Sequence, residues 1–106
     1  KGVNFESGKA VLLAGSYKVL DEIATSLREW PEVRIEIQGH TDNTGDPKKN
    51  KLLSEARATS VKTALTTDGI EAARLSTAGW GQEKPIADNS TEDGKAINRR
   101  VELVKK

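Results

Sequence analysis

The chain has no cysteine and a single histidine among its 106 residues. Without cysteine, disulfides, cysteine zinc sites and thiol chemistry are excluded. A hydrolase needs an activated nucleophile, paired carboxylates or a metal. His40 and Asp42 supply two ligands at a predicted strand end, whereas a catalytic zinc normally takes three from the protein. We therefore expect no metal, no cofactor and no enzymatic activity, with His40 as a hydrogen-bonded loop residue.

An excess of one charge sign and a long hydrophobic run are also missing. The 17 basic and 16 acidic residues leave a net charge of +1, whereas nucleic-acid binding usually needs a basic face. No apolar run approaches the ~20 residues that span a bilayer. We therefore expect one domain over residues 1–106, with no nucleic-acid partner. It reads as part of a longer protein, in which any membrane attachment comes from other segments.

The hydrophobic pattern predicts alternating strands and helices. Alternation with a period of two predicts strands at 2–6, 33–39, 75–80 and 100–104, and apolar steps of three and four predict a helix at 14–29. A second helix is predicted from Pro47 to about Thr66, with Asp46 as its N-cap. Residues 81–97 are predicted to be a loop with one helical turn near Glu92–Ala96. The polar face of the strand at 33–39 places the helices on one side of the sheet. The predicted fold is an α+β two-layer β-α-β-α-β-β sandwich, with a mixed four-stranded sheet and two main helices on one face.

The second predicted helix carries a stripe that is polar in its first half and apolar in its second. The stripe consists of Asn50, Ser54, Arg57, Ala58, Val61 and Leu65. A polar start to a core-facing stripe predicts a pocket at the edge of the sheet. The alternative is a partly exposed helix end, with Arg57 in an ordinary salt bridge and Asp42 as a turn former. Spacing alone does not bring Arg57 to Asp42, because Arg57 lies ~15 Å along the axis from the start of the helix.

Two ordered groups of motifs resemble the signature of the OmpA-like peptidoglycan-associated domain, the family that includes Pal and MotB. The first group is Gly39-His40-Thr41-Asp42-Asn43-Thr44-Gly45, then Asn50 and Leu53-Ser54-Glu55-Ala56-Arg57-Ala58. The second is Gly79, Gly81, Pro85-Ile86-Ala87-Asp88-Asn89 and Asn98-Arg99-Arg100-Val101-Glu102. The resemblance covers nearly the whole chain, and the family's strand and helix order agrees with the order predicted above.

The resemblance implies binding without catalysis, with the diaminopimelate residue of the peptidoglycan stem peptide as the ligand. By this resemblance, Asp42 meets the ligand's ammonium and Arg57 grips a carboxylate. The remaining positions implied to line the site are Thr41, Asn43, Asn50, Leu53, Arg99 and Phe5. The chemistry suits these roles, because the zwitterionic end of diaminopimelate needs one anion and one cation, and arginine holds a carboxylate bidentately.

The resemblance also implies a periplasmic location and the tethering of an outer-membrane or other envelope protein to the cell wall. The alternative is an anchoring module of a larger envelope machine, such as a stator or a Pal-like tether, that also contacts a protein partner. Such a partner would meet the loop at 81–97 and Trp80. For Trp80, a lid over the edge of the sheet is the favoured interpretation.

Overall fold

The structure, a computed structural model, describes residues 2–106. The elements are α1 (Ala14–Glu29), β1 (Ile35–His40), α2 (Pro47–Thr67), a 3-10 turn (Ala72–Arg74), β2 (Leu75–Gly81), α3 (Glu92–Asn98) and β3 (Arg100–Lys105). The sheet has the order β2-β1-β3, with β1 parallel to β2 and antiparallel to β3. The α+β class is therefore confirmed.

The two long helices begin and end within one residue of the predicted bounds. At the start of α2, Asp46 Oδ1 accepts a hydrogen bond from the backbone N–H of Lys48 at 3.1 Å. Pro47 occupies the first helical position, where a missing N–H costs nothing. In α1, the buried apolar positions recur every three or four residues, at Leu20, Ala24 and Leu27.

One hydrophobic core joins both long helices to the sheet. Leu20 of α1, Ile37 of β1 and Leu65 of α2 are fully buried in a single cluster. Burying a side chain of this size contributes about 1.5–3 kcal/mol. These contacts hold α2 against the face of the sheet that carries Ile37, which sets the position of the polar first turns of the helix.

The strand predicted at residues 2–6 is wrong. Phe5 forms only an isolated antiparallel bridge with Leu12. The chain turns at Gly8, whose φ is +68°, and the Glu6 N–H donates to the Val11 carbonyl at 2.8 Å. This local pairing satisfies backbone groups that a strand would have offered to the sheet. The sheet formed by the described residues therefore has three strands instead of the predicted four.

The loop predicted at 81–97 contains a third helix, α3, of seven residues instead of a single turn. Thr91 Oγ1 accepts from the Gly94 N–H at 3.0 Å, and Glu92 and Asp93 complement the positive end of the helix dipole. The helical turn predicted near Glu92–Ala96 lies within this helix, and the turn-forming residues around the segment concealed its full length. The predicted sandwich is thus corrected to a three-stranded mixed sheet with three α-helices over residues 2–106.

Candidate ligand-binding site

A cleft of about 810 Å³ opens where the chain leaves β1. Four separate parts of the chain supply its walls: the N-terminal segment, the loop after β1, the first half of α2, and the α3–β3 region. Its lining includes Phe5, Ser7, Gly8, Thr41, Asp42, Thr44, Asn50, Leu53, Arg57, Glu92, Lys95 and Arg99. The cleft therefore exists only once distant segments have packed together.

Asp42 is the buried anion of the cleft, with 7% of its surface exposed. Its Oδ1 accepts from the Thr44 N–H at 2.8 Å, and its Oδ2 accepts from Arg99 Nη1 at 2.6 Å. Burial raises the pKa of the Asp42 carboxyl, but the hydrogen bonds from Thr44 and Arg99 outweigh it and leave the pKa lowered. Asp42 is therefore a turn former and an ionised group at once.

Arg57 is a half-buried cation held by neutral groups. Its Nε donates to the Lys9 carbonyl at 2.9 Å, and its Nη2 donates to the Glu6 carbonyl at 3.4 Å. The guanidinium carbon lies 5.0 Å from the centroid of the Phe5 ring, within cation–π range. Within residues 2–106, no carboxylate forms a salt bridge with it, so the alternative of an ordinary salt bridge is not observed.

The electrostatic surroundings of Arg57 are unfavourable for a cation without a counterion. Burial lowers the pKa of Arg57, and the positive charge of Arg99 lowers it further. An arginine remains protonated at neutral pH nonetheless, because its intrinsic pKa lies far above that range. An anion entering the cleft would relieve both effects, since it would replace lost hydration and offset the repulsion.

Close approach of α2 to the sheet brings Arg57 to the cleft. A Cβ at Gly39 would overlap the backbone carbonyl of Ser54, so only glycine allows this contact. Ser54 Oγ in turn accepts from the Gly81 N–H at 2.9 Å, and the Gly81 carbonyl accepts from the Thr41 N–H at 2.8 Å. One turn beyond Ser54, Arg57 meets the carbonyls of the N-terminal segment. This tertiary arrangement places Arg57 and Asp42 in the lining of one cleft, which spacing along the helix could not predict.

Seven of the eight residues implied by the resemblance line this cleft, namely Phe5, Thr41, Asp42, Asn50, Leu53, Arg57 and Arg99. Asn43 does not line it and is exposed on the outside of the loop. Asn50 Nδ2 donates to the Thr44 carbonyl at 2.9 Å and to Gln82 Oε1 at 3.2 Å. Asn50 thus closes the loop after β1 onto the start of α2.

Thr44 and Lys95 are among the lining residues that sequence reasoning missed. Lys95 Nζ donates to Thr44 Oγ1 at 3.2 Å, which links α3 to the loop that carries Asp42. The available signal was that Lys95 precedes Arg99 by four residues, the spacing that places side chains on one face of a helix. Helical spacing does not point to Lys95 when the segment is predicted to be mostly loop.

His40 and Trp80 lie outside the cleft lining. His40 ends β1 and is 2% exposed, and neither of its ring nitrogens has a hydrogen-bond partner in the part of the chain that the structure describes. The prediction that His40 is a hydrogen-bonded loop residue is therefore wrong. Burial lowers the pKa of His40, and the charge of Arg100 adds to this. Trp80 lies on β2, an edge strand, where the Lys84 ammonium is 3.8 Å from its ring centroid.

Across residues 2–106, no three His, Asp or Glu side chains gather in a way that could hold a metal ion. In the same range, none of the helices combines the length and apolar character that a bilayer crossing requires.

Curated relatives match almost the whole chain. A probable lipoprotein of Escherichia coli, YiaD, is 45% identical over 101 residues, which are 95% of this chain and 46% of that protein. The peptidoglycan-binding protein ArfA of Mycobacterium tuberculosis is 39% identical over 102 residues, 96% of this chain and 31% of that protein. The chain therefore spans less than half the length of these relatives.

Solved structures share the fold. The peptidoglycan-associated lipoprotein of Burkholderia pseudomallei superposes with a TM-score of 0.86 at 33% identity, over 97% of this chain and 86% of that one. The C-terminal domain of Helicobacter pylori MotB superposes with a TM-score of 0.90 at 25% identity, over 99% and 82%. The sequence model of the OmpA family matches residues 4–99 of this chain. The chain therefore belongs to the OmpA family.

Proposed function

We propose that this domain binds peptidoglycan without catalysis, through the diaminopimelate residue of the stem peptide. In this role it would tether a longer protein of the periplasm or outer membrane to the cell wall. The observation that carries the proposal is the presence of two opposite charges in one cleft: Asp42 is an ionised acid, and Arg57 is a guanidinium that has no carboxylate partner among residues 2–106. An amine and a carboxylate on one carbon match such a pair.

The relatives support the proposal at a coarser level. One matched protein is described as peptidoglycan-binding and one matched structure as a peptidoglycan-associated lipoprotein. The matched names describe no catalyst. A single zwitterion held by a few charge-assisted hydrogen bonds of roughly 1.5–3 kcal/mol each predicts binding in the micromolar range or weaker. Many stems on one sacculus then strengthen retention through avidity.

Retention of the purified domain on isolated sacculi tests the proposal. Asp42→Ala and Arg57→Ala should each nearly abolish retention, because each removes one charge that the zwitterion needs. Asp21→Ala and Arg34→Ala are matched controls, since both residues are exposed and lie outside the cleft. Full retention by both cleft variants would refute the site, and failure of the parent domain to bind would refute the function.

Titration with stem tripeptides tests the finer statement. In NMR titrations, a tripeptide ending in diaminopimelate should shift resonances of residues 41–57, whereas the same tripeptide ending in lysine, whose side-chain end carries an amine but no carboxylate, should shift them far less. Equal shifts with both compounds would leave the domain as a wall binder but would contradict selectivity for diaminopimelate.

A second candidate function is that of an anchoring module that also captures a protein partner. Two large apolar side chains favour it, because Ile86 is 62% exposed and Ile97 is 53% exposed within the segment predicted to meet a partner. Ile86→Ser and Ile97→Ser should abolish cross-linking to an envelope protein while leaving sacculus retention unchanged. Absence of any cross-linked protein with the parent domain would count against this function.

A further inference from the structure

The charges that line the cleft do not balance. Its basic residues are Arg57, Lys95, Arg99 and Arg100, and its acidic residues are Asp42 and Glu92. Arg99 is paired with Asp42, and Arg100 is paired with Glu102, which lies outside the lining. Two cations, Arg57 and Lys95, therefore remain without a salt bridge in the part of the chain that the structure describes.

Lys95 and Arg57 line the cleft from different helices. It belongs to α3, one turn before Arg99, and its ammonium donates to the hydroxyl of Thr44 at 3.2 Å. A hydroxyl accepts a hydrogen bond but does not neutralise a charge. Lys95 is half-buried, and its four-carbon stem allows the ammonium to follow a bound group. The cleft thus offers a second cation beside the loop that carries Asp42.

We propose that Lys95 binds a second ligand carboxylate, the one at the C-terminal end of the stem peptide. This inference rests on the proposed function, in which Asp42 and Arg57 take the amine and carboxylate at the zwitterionic end of diaminopimelate. One zwitterion satisfies one cation and one anion, so it leaves Lys95 without a counterion. In a stem that ends at diaminopimelate, the free carboxylate at its other end supplies that charge.

The acid–amide pair of stem peptides isolates this contact. Calorimetric titration of the domain would compare a tripeptide stem ending in free diaminopimelate with the same tripeptide carrying a carboxamide at its C-terminus. The free acid should bind about tenfold more tightly, in line with one partly screened charge-assisted hydrogen bond. Equal affinities for the two peptides would overturn the role of Lys95.

Variants assign the preference to one side chain. Lys95→Met keeps the length but not the charge, and it should bring the ratio of amide to acid dissociation constants close to one. Lys95→Arg should keep a preference for the acid, and Lys62→Met, on α2 outside the cleft, should behave as the parent. A preference retained by Lys95→Met would overturn the inference.

The same titrations distinguish failure of this inference from failure of the proposed function. Binding of both peptides with dependence on Asp42 and Arg57, but without discrimination between acid and amide, would overturn the inference alone. Absence of binding for either peptide would overturn the proposed function together with it. A tetrapeptide stem carries its terminal carboxylate one residue further on. If it binds no more tightly than the tripeptide amide, Lys95 does not reach the carboxylate of that longer stem.

Discussion

Asp42 Oδ2 accepts a hydrogen bond from Arg99 Nη1 at 2.6 Å, so the acid of the cleft already has a cationic partner. Arg57, the cation expected to act with Asp42, instead contacts two carbonyls and an aromatic ring. An incoming ammonium must therefore share Asp42 with Arg99, whereas an incoming carboxylate meets a guanidinium for which no anion of residues 2–106 competes. The electrostatics of this cleft therefore favour an incoming negative charge more than an incoming positive charge.

The Asp42 carboxylate should contribute pH-dependent stability. Its pKa lies below the ordinary value of 3.8 in the folded state. The stabilisation is therefore fully present above that value and is lost as the pH falls through the lowered folded pKa. We expect Asp42→Asn to reduce the free energy of unfolding by about 1–3 kcal/mol at pH 7, and this difference should shrink below pH ~4. Urea unfolding at pH 7, 5 and 3 measures it, with Glu22→Gln as the exposed control. A difference that stays constant down to pH 3 would contradict the prediction.

Lysine should not replace Arg57. An ammonium cannot reproduce the planar fork that contacts the Glu6 and Lys9 carbonyls and still present two N–H groups to a carboxylate. We expect Arg57→Lys to weaken binding of diaminopimelate by about tenfold or more. Titration calorimetry measures the affinity, and Arg28→Lys, on α1, is the control. Affinity equal to that of the parent would show that the charge alone suffices.

Two glycines offer opposite outcomes for the same substitution. Gly39→Ala places a methyl group against the Ser54 carbonyl, and such overpacking should cost about 2–3 kcal/mol of unfolding free energy. Gly15→Ala faces open space within α1 and should stabilise by about 0.5–1 kcal/mol. Thermal unfolding checks both signs. A neutral Gly39→Ala would contradict the close approach of α2 to β1. It would therefore also contradict the role of that approach in positioning Arg57.

Asn98, which directly precedes the lining residue Arg99, should have a structural role. Fully buried, it accepts from the N–H groups of Ile86 and Ala87, and it donates to the Ala87 carbonyl and to Asn89 Oδ1. We expect Asn98→Ala to cost about 2–3 kcal/mol, because buried backbone groups lose their partners. Asn89→Ala removes one of these bonds and should cost about 1 kcal/mol or less. Denaturant unfolding ranks the pair, and a reversed order would contradict this role.

The elements whose signals are local were predictable from the sequence. The cap at Asp46 and Pro47 determined the start of α2, and the alternation through Ile35 and Ile37 determined β1. The resemblance named Asp42 and Arg57. Local signals failed where long-range pairing competes with them: the segment around Phe5 pairs with its own continuation instead of the sheet, and α3 forms within a stretch of turn-forming residues.

The sequence by itself determined which charges the molecule carries and which segments bear them. The tertiary structure decided which charges are neutralised. The pairing of Asp42 with Arg99 joins residues 57 positions apart, and the carbonyls that hold Arg57 come from 48 and 51 positions earlier. Such pairings depend on the close packing of α2 on β1 and on the fold of the N-terminal segment, and no periodicity along the chain encodes a distance between segments that meet only through the core.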